Sequence, residues 1–480
     1  MEASDDDLMA ARSSGIGLDS LISVDIRSWF LKNFEVGIPV LKIMGNDTMA
    51  DIAELVASQV SPSLLSSDAT IESPPQKETP ATPKAVASED EKDPSAVTSL
   101  GTSAVNSTGY TTPVSELEES GLVKINWATE IALPKAVEMS STNIPASQPR
   151  VIVLTGVSGL LGRALLSLLL KVSSVEKVIC IATRRLGERV KNGELPQNER
   201  VTYYEGDLEN PRLGLSESDA VEIFSMADAV IHNGADTSHL KFYPAIKTAN
   251  VESTRYIISL CMARKIPIHY LSTVGVALFG DYESFPEISV AVQYYPPADG
   301  SHGYIAAKWA SERLLESVQK QHGINTWIHR PSTIIRSGAD AASAAAQVDW
   351  MNSFVEYMLK TKAVPAMKNL RGALDFVSVE NAAGSIVRCV LDNKPKTTGE
   401  PSYVHQVGDM VAPLNNLAEF VATKLKDTGV TSFEQIQVLP IDTWAARAVS
   451  MGLNRGVAAL IESMDDPGQP SYPRMLREGL

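Results

Sequence analysis

Cysteine is scarce in this chain, with only Cys180, Cys261 and Cys389 among 480 residues. Three scattered thiols make neither a disulfide framework nor a zinc site. Each sits in an apolar stretch, which predicts a small buried hydrophobe. An excess of basic charge is also missing: 42 Lys and Arg stand against 57 Asp and Glu, a formal net charge of −15. The basic face of a nucleic-acid binder is therefore not expected. Uninterrupted apolar runs are lacking too. Val151–Leu170 has the length of a bilayer span, but three glycines and Arg163 interrupt it. The acidic start, Glu2 to Asp7, is followed by no apolar core, so no signal peptide is read there. These absences predict a cytoplasmic protein with neither nucleic acid nor membrane as partner. What remains is ordinary for a globular chain, 44% hydrophobic and 21% charged. Its length predicts two to four compact units.

Composition shifts divide the sequence. Residues 1–60 carry a helical pattern, with Leu21, Val24, Ile26, Trp29 and Phe30 apolar between polar positions. Residues 61–116 are rich in Ser, Thr, Pro, Ala and charge, and no aromatic residue occurs between Phe34 and Tyr110. Such a segment buries too little apolar surface to offset its ordering entropy and reads as a disordered linker. From about residue 117 short β-branched runs alternate with amphipathic ones. The runs are Val151–Thr155, Val178–Thr183, Val201–Tyr204, Ala229–His232, Pro267–Leu271 and Thr326–His329. Alternation of this kind predicts an α/β fold, a Rossmann-type doubly wound parallel sheet covered by helices on both faces. The nucleotide-binding part is expected over 117–338. A mostly helical substrate-binding part is expected over 339–480, with one further strand at Tyr403–Val407.

Thr155-Gly156-Val157-Ser158-Gly159-Leu160-Leu161-Gly162 follows the first strand and opens a helix. The first glycine permits a tight turn, the second lets backbone approach a pyrophosphate, and the third allows close helix–strand packing. Free N–H groups at the new helix end favour the diphosphate, so Gly156, Ser158, Gly159, Leu160 and Gly162 are candidate cofactor-binding residues. The second strand ends at Thr183-Arg184-Arg185, where an acidic residue would select NAD and an arginine the 2′-phosphate of NADP. Arg184 is the candidate. Asp207, followed by Leu208, comes after the third strand and is placed to accept from the adenine amine. Asn233, Gly234 and Ala235 end the fourth strand with small residues that let the cofactor pass close by.

The fifth strand runs into Ser272-Thr273, and some thirty residues later Gly303-Tyr304 opens an amphipathic helix containing Lys308. Tyr304 and Lys308, four apart, share one helix face. There the ammonium can lower the phenol's pKa and hold the nicotinamide ribose. A hydroxyl from Thr273 or Ser272 binds the substrate oxygen, and Tyr304 supplies a proton as hydride arrives.

Together these segments resemble the extended short-chain dehydrogenase/reductase superfamily, and more closely the thioester reductase domain that terminates polyketide and nonribosomal peptide synthetases. His302-Gly303, His329-Arg330-Pro331-Ser332, Asp375–Glu380 and the leader Ile125–Glu130 continue the likeness, which covers about 117–480. The resemblance implies that Pro331 and Ser332 lie near the nicotinamide and that the C-terminal helices form an acyl-substrate lid. It implies NADPH-dependent release of a carrier-bound acyl thioester as an aldehyde, with further reduction to the alcohol left open. Two other readings stand beside it: a redox-independent Dieckmann-type cyclisation on the same scaffold, and a non-catalytic synthase tail. Retention of Thr273, Tyr304 and Lys308 favours reduction.

Asp19-Ser20-Leu21 resembles the phosphopantetheine attachment site of acyl carrier domains, and the wording after it is similar to carriers of fungal highly reducing polyketide synthases. By that likeness Ser20 would carry phosphopantetheine, added by a phosphopantetheinyl transferase, with upstream synthase modules as partners. Only nineteen residues precede Ser20, which leaves no room for the carrier's first long helix, so 1–60 is expected to be a partial carrier domain.

Overall fold

The computed structural model describes residues 48–60, 124–138, 143–239, 241–280, 282–289, 295–335, 350–394, 399–427, 435–463, 465 and 472–477, with seven further positions between Ile26 and Ile43. Ser20 and the 61–116 segment lie outside the described residues. Near the N-terminus one helix is described, α1 (Met49–Gln59). Thr48 and Asp51 close its start reciprocally, each side chain accepting from the other's backbone N–H. Ile52 and Val56 on one face of it, with Val60 just past its end, are buried in one cluster with Val36, Ile38 and Ile43.

Beyond the leader, the β-branched runs become the strands of one parallel sheet. They are β1 (Val151–Thr155), β2 (Lys177–Thr183), β3 (Val201–Glu205), β4 (Ala229–His232), β5 (Ile268–Leu271) and β6 (Thr326–Pro331). Every residue of β4, β5 and β6 is buried, as a parallel strand covered on both faces requires. The order across the sheet is β3-β2-β1-β4-β5-β6, the doubly wound arrangement, and it places a switch point between β1 and β4. Helix α2 (Leu160–Leu169) covers one face through Leu161, Leu165, Leu166 and Leu169. The opposite face is covered by α3 (Glu217–Met226), α4 (Ser253–Cys261) and the long α5 (Gly303–His322).

The chain beyond 339 holds more strand than the mainly helical pattern expected there. Helix α6 (Trp350–Thr361) belongs to a separate cluster with Phe420, Val421 and Trp444. Strand β7 (Ala373–Ser378) pairs antiparallel with β9 (Met410–Pro413). Between them α7 (Val379–Asp392) and β8 (Ser402–Gln406) return to the main sheet. β8 pairs parallel with β6 as its seventh strand, and α7 packs Ala382, Ala383 and Ile386 into the same cluster as α2. Strands of three to six residues give too few repeats of the two-residue period to stand out in sequence. Among the described residues no helix is long and apolar enough to cross a membrane.

Candidate active site

The glycine turn is a matter of packing before it is one of ligand. Gly156 has φ +70°, and a Cβ there would lie 2.6 Å from Cα of Gly234. A Cβ at Gly162 would lie 2.0 Å from the Gly156 carbonyl oxygen, so α2 reaches the end of β1 only because that residue has no side chain. Gly159 differs: a Cβ there would meet nothing nearer than the Gly156 oxygen at 3.4 Å, an ordinary contact. It begins α2 with no side-chain cap, whereas Ser216 and Ser378 cap α3 and α7. The first N–H groups of α2 are thus unpaired by a side-chain cap, and that fits a diphosphate. Ser158 turns its carbonyl to Arg163 Nη1 at 3.0 Å, and Leu160 is the first residue of α2.

Asn233 braces this turn, its Nδ2 donating to the Gly156 carbonyl at 3.1 Å. The Gly234 N–H donates to Thr155 Oγ1 at 2.8 Å, and that hydroxyl also meets His232 Nδ1 at 2.8 Å. Leu208 lies against Gly234, and Ala235 leads into the loop beyond. On the outer side a register shift between β2 and β3, with Ala182 at φ 53°, turns the end of β2. Arg184 emerges 67% exposed, its Nε 3.6 Å from the Asp207 carboxylate.

Around β4, β5 and α5 the groups are enclosed instead. A Cβ at Gly303 would lie 2.4 Å from the Lys241 carbonyl oxygen, so this glycine lets α5 begin directly against the 241–243 backbone. That fixes Tyr304, half-buried, with the His239 ring edge-on at 4.9 Å. One turn on, Lys308 is buried and donates from Nζ to the Leu271 carbonyl at 2.5 Å. Its ammonium lies 4.7 Å from the Tyr270 ring centre and 5.8 Å from that of Tyr304. Burial pulls Lys308 down to about 7, opposed by the charge of Glu312. The phenol of Tyr304 is pushed up by burial rather than lowered by the lysine, because the ammonium is turned toward Tyr270 and the strand carbonyl. Tyr304 therefore remains a protonated phenol, as a proton donor must.

Of the two strand-end hydroxyls, Ser272 is buried and donates to Glu312, while Thr273 is only partly buried and accepts from the Gly275 N–H at 3.1 Å. Thr273 keeps its own proton available. Pro331 closes β6 and Ser332 is buried next to it, its N–H donating to the Gln406 carbonyl at 2.9 Å.

Sequence reasoning passed over three supports. His232 is buried between Thr155 and Thr254 and held neutral, pulled down to about 3 by burial and then by Lys308. Asn250, in a π-turn (Thr248–Glu252), pins the loop after β4 by exchanging hydrogen bonds with the Asp236 backbone at 2.7 and 2.8 Å. Glu312 and Arg330 form a fully buried ion pair. No pattern within either segment signals that pair.

Residues 154–386 match the family described as Male sterility protein, an NAD-binding family. Over its full length the chain is 60% identical to the highly reducing polyketide synthase calA of Penicillium decumbens, covering 17% of that protein. It is 37% identical to the polyketide synthase-nonribosomal peptide synthetase phmA of Phaeosphaeria nodorum, over 74% of this chain and 8% of that one. The chain thus spans about a sixth or less of the length of the curated relatives it matches. Among solved structures, the terminal R domain from the myxalamid PKS-NRPS pathway superposes with a TM-score of 0.57 at 23% identity, covering 73% of this chain and 89% of that one. A thiolation-reductase di-domain from an archaeal non-ribosomal peptide synthetase superposes with a TM-score of 0.55 at 16% identity, covering 96% and 84%. Both share the Rossmann-type fold. Residues 154–386 thus form a domain of the Male sterility protein type, homologous to the C-terminal reductase domains of fungal polyketide synthases and hybrid polyketide synthase–nonribosomal peptide synthetases.

Proposed function

We propose that this reductase domain releases a carrier-bound polyketide acyl thioester as an aldehyde, using NADPH. The observation that carries the reading is the α5 face, where a protonated Tyr304 is followed one turn on by a buried Lys308, whose Nζ donates to the Leu271 carbonyl two residues before the partly exposed Thr273. Arg184, exposed where an NAD-selective site would carry an acid, supports NADPH. Gly156, Ser158, Gly159, Leu160 and Gly162 would hold the diphosphate at the uncapped start of α2. Leu208, Asn233, Gly234, Ala235, Pro331 and Ser332 would line its path toward the nicotinamide, and Asp207 the adenine.

NADPH supplies the hydride when bound. Thr273 donates a hydrogen bond to the thioester carbonyl oxygen, and Tyr304 gives that oxygen its proton as negative charge develops. Lys308, fixed by the Leu271 carbonyl, holds its positive charge close to the same oxygen. The resulting hemithioacetal returns the proton to Tyr304 as the C–S bond breaks. An aldehyde remains, and the departing pantetheine thiolate takes a proton from water.

Relatives matched along the whole chain are highly reducing polyketide synthases, whereas the hybrid synthetase matches only 74% of it. This supports a synthase of the former kind as the setting, with the N-terminal segment belonging to its carrier domain and Ser20 the phosphopantetheine attachment site. The di-domain likeness over 96% of the chain also favours that reading. The test is incubation with NADPH and an acyl-pantetheine thioester, following nicotinamide absorbance, free thiol and trapped aldehyde. All three should change together. Thiol release without NADPH consumption would establish cyclising release instead, and failure to bind NADPH would leave a synthase tail.

A further inference from the structure

Glu312 lies on α5, four residues beyond Lys308 and eight beyond Tyr304, along the same side of the helix. Its carboxylate is fully buried and receives donors from the ends of two strands. Arg330, in β6, donates from Nε to Oε1 at 3.0 Å and from Nη2 to Oε2 at 2.7 Å. Ser272, the residue after β5, donates from Oγ to Oε1 at 2.5 Å. The third donor arm of Arg330, Nη1, reaches the Ile288 carbonyl at 2.8 Å. Its guanidinium lies against the rings of Phe285 and Tyr403, 5.0 and 4.5 Å from their centres.

Each member adjoins a reacting or cofactor-facing group. Ser272 precedes Thr273, Arg330 precedes Pro331 and Ser332, and Glu312 shares its helix with Tyr304 and Lys308. A buried ion pair is a poor source of stability, because apolar residues of similar volume often hold a fold as well or better. Stability alone therefore does not account for three polar groups meeting here. We propose that Glu312 is a positioning residue for the reduction, fixing the ends of β5 and β6, through Ser272 and Arg330, against the Tyr304–Lys308 face. The proposal rests on the reductive reading above.

The same carboxylate acts on Lys308. Other groups facing that ammonium are Tyr270 from β5, Tyr304 from α5 and the neutral His232 from β4. Burial pulls Lys308 down, and Glu312 is the acid among these groups that opposes the pull. Removing its charge should let the ammonium lose its proton at lower pH.

Ser272→Ala removes one donor and leaves the ion pair intact, so it tests the network without a buried orphan charge. Its kcat for acyl-pantetheine reduction should fall roughly 10-fold, since small misplacements of reacting groups are costly. KM and NADPH affinity should stay at wild-type values, the melting temperature should fall slightly with the loss of one buried hydrogen bond, and Ser272→Thr should restore kcat. Wild-type kcat in Ser272→Ala would overturn the proposal. Where Glu312→Gln folds, adding Ser272→Ala to it should cost little more. Fully additive losses would show Ser272 acting directly on substrate and would also overturn it. The pH midpoint of NADPH affinity should be lower in Glu312→Gln by about 1, and an unchanged midpoint would remove the link to Lys308. Binding alone reads that midpoint. A wild-type protein that binds NADPH but reduces no thioester would sink the functional reading, and the midpoint would still decide whether Glu312 controls Lys308.

Discussion

At the ends of β1, β2 and β3 the site is made of backbone and exposed side chains: a glycine turn, an uncapped helix start, and Arg184 beside Asp207 at 3.6 Å. At the ends of β4, β5 and β6 the half-buried Tyr304 and partly buried Thr273 are backed by side chains sealed from water, Lys308, Glu312, Arg330 and Ser272. The first side can present N–H groups and charge to an anion without being disturbed by its arrival. The second has to hold a phenol, an ammonium and a hydroxyl in one arrangement, and only buried, fully partnered groups keep such an arrangement fixed. Binding should therefore respond to changes on the first side and turnover to changes on the second.

Tyr304→Phe gives the largest expected effect. It deletes the proposed proton donor and leaves the ring in place against His239, so kcat should fall ~10²–10⁴-fold while NADPH affinity and folding persist. Lys308→Ala should lose both rate and affinity, because the ammonium is proposed to serve the oxyanion and the ribose alike. A Phe variant that reduces the thioester at the wild-type rate would erase the distinction between the two sides.

Arg184→Ala is the complementary change. Loss of a charge-assisted contact to the 2′-phosphate should cost on the order of 1.5–3 kcal/mol of NADPH affinity, with kcat at saturation preserved and NADH affinity unmoved. Titration of both nicotinamide cofactors against wild type and variant measures it. Equal affinities in the wild type would remove Arg184 from the 2′-phosphate.

The contrast also explains what could be read from sequence. The glycine turn and Arg184 are local patterns, in which residues a few positions apart meet in space. Strands β1 and β4 were legible to the residue because they are buried β-branched runs between clear breaks. Tyr304 and Lys308 were legible because one helical turn brings them together. Glu312, Arg330 and Ser272 are separated by up to 58 positions, and nothing in any one segment announces their convergence. The expected extra strand at Tyr403–Val407 is found at Ser402–Gln406. The short strands at Ala363–Pro365, Ala373–Ser378 and Met410–Pro413 carried too little period to be seen.

Gly303→Ala crosses the two sides, since it is a backbone feature serving buried chemistry. A methyl group there meets the Lys241 carbonyl oxygen at 2.4 Å, and backbone on both sides must give. Overpacking of this kind typically costs about 1–3 kcal/mol, so thermal unfolding should shift down. Because the displaced residue after it is Tyr304, kcat should fall more than NADPH affinity does. Equal losses of both would show that the start of α5 supports the cofactor as much as the phenol.

Asp207→Asn should have the smallest effect and the most specific one. Its carboxylate lies near Arg184 with the arginine well exposed, and pairs in such settings are worth about 0–1 kcal/mol. Asn retains an acceptor for the adenine amine, so the hydrogen bond proposed for this residue survives. What disappears is a negative charge beside the 2′-phosphate and a competitor for the guanidinium. NADPH affinity should therefore rise, by roughly 2-fold at low salt, while NADH affinity stays constant, and added salt should shrink the difference by screening. Isothermal titration of both cofactors at two ionic strengths separates the outcomes. A fall in affinity for both cofactors alike would mean that the charge of Asp207 is needed at the adenine, and that the open side of the site is less tolerant than its exposure suggests.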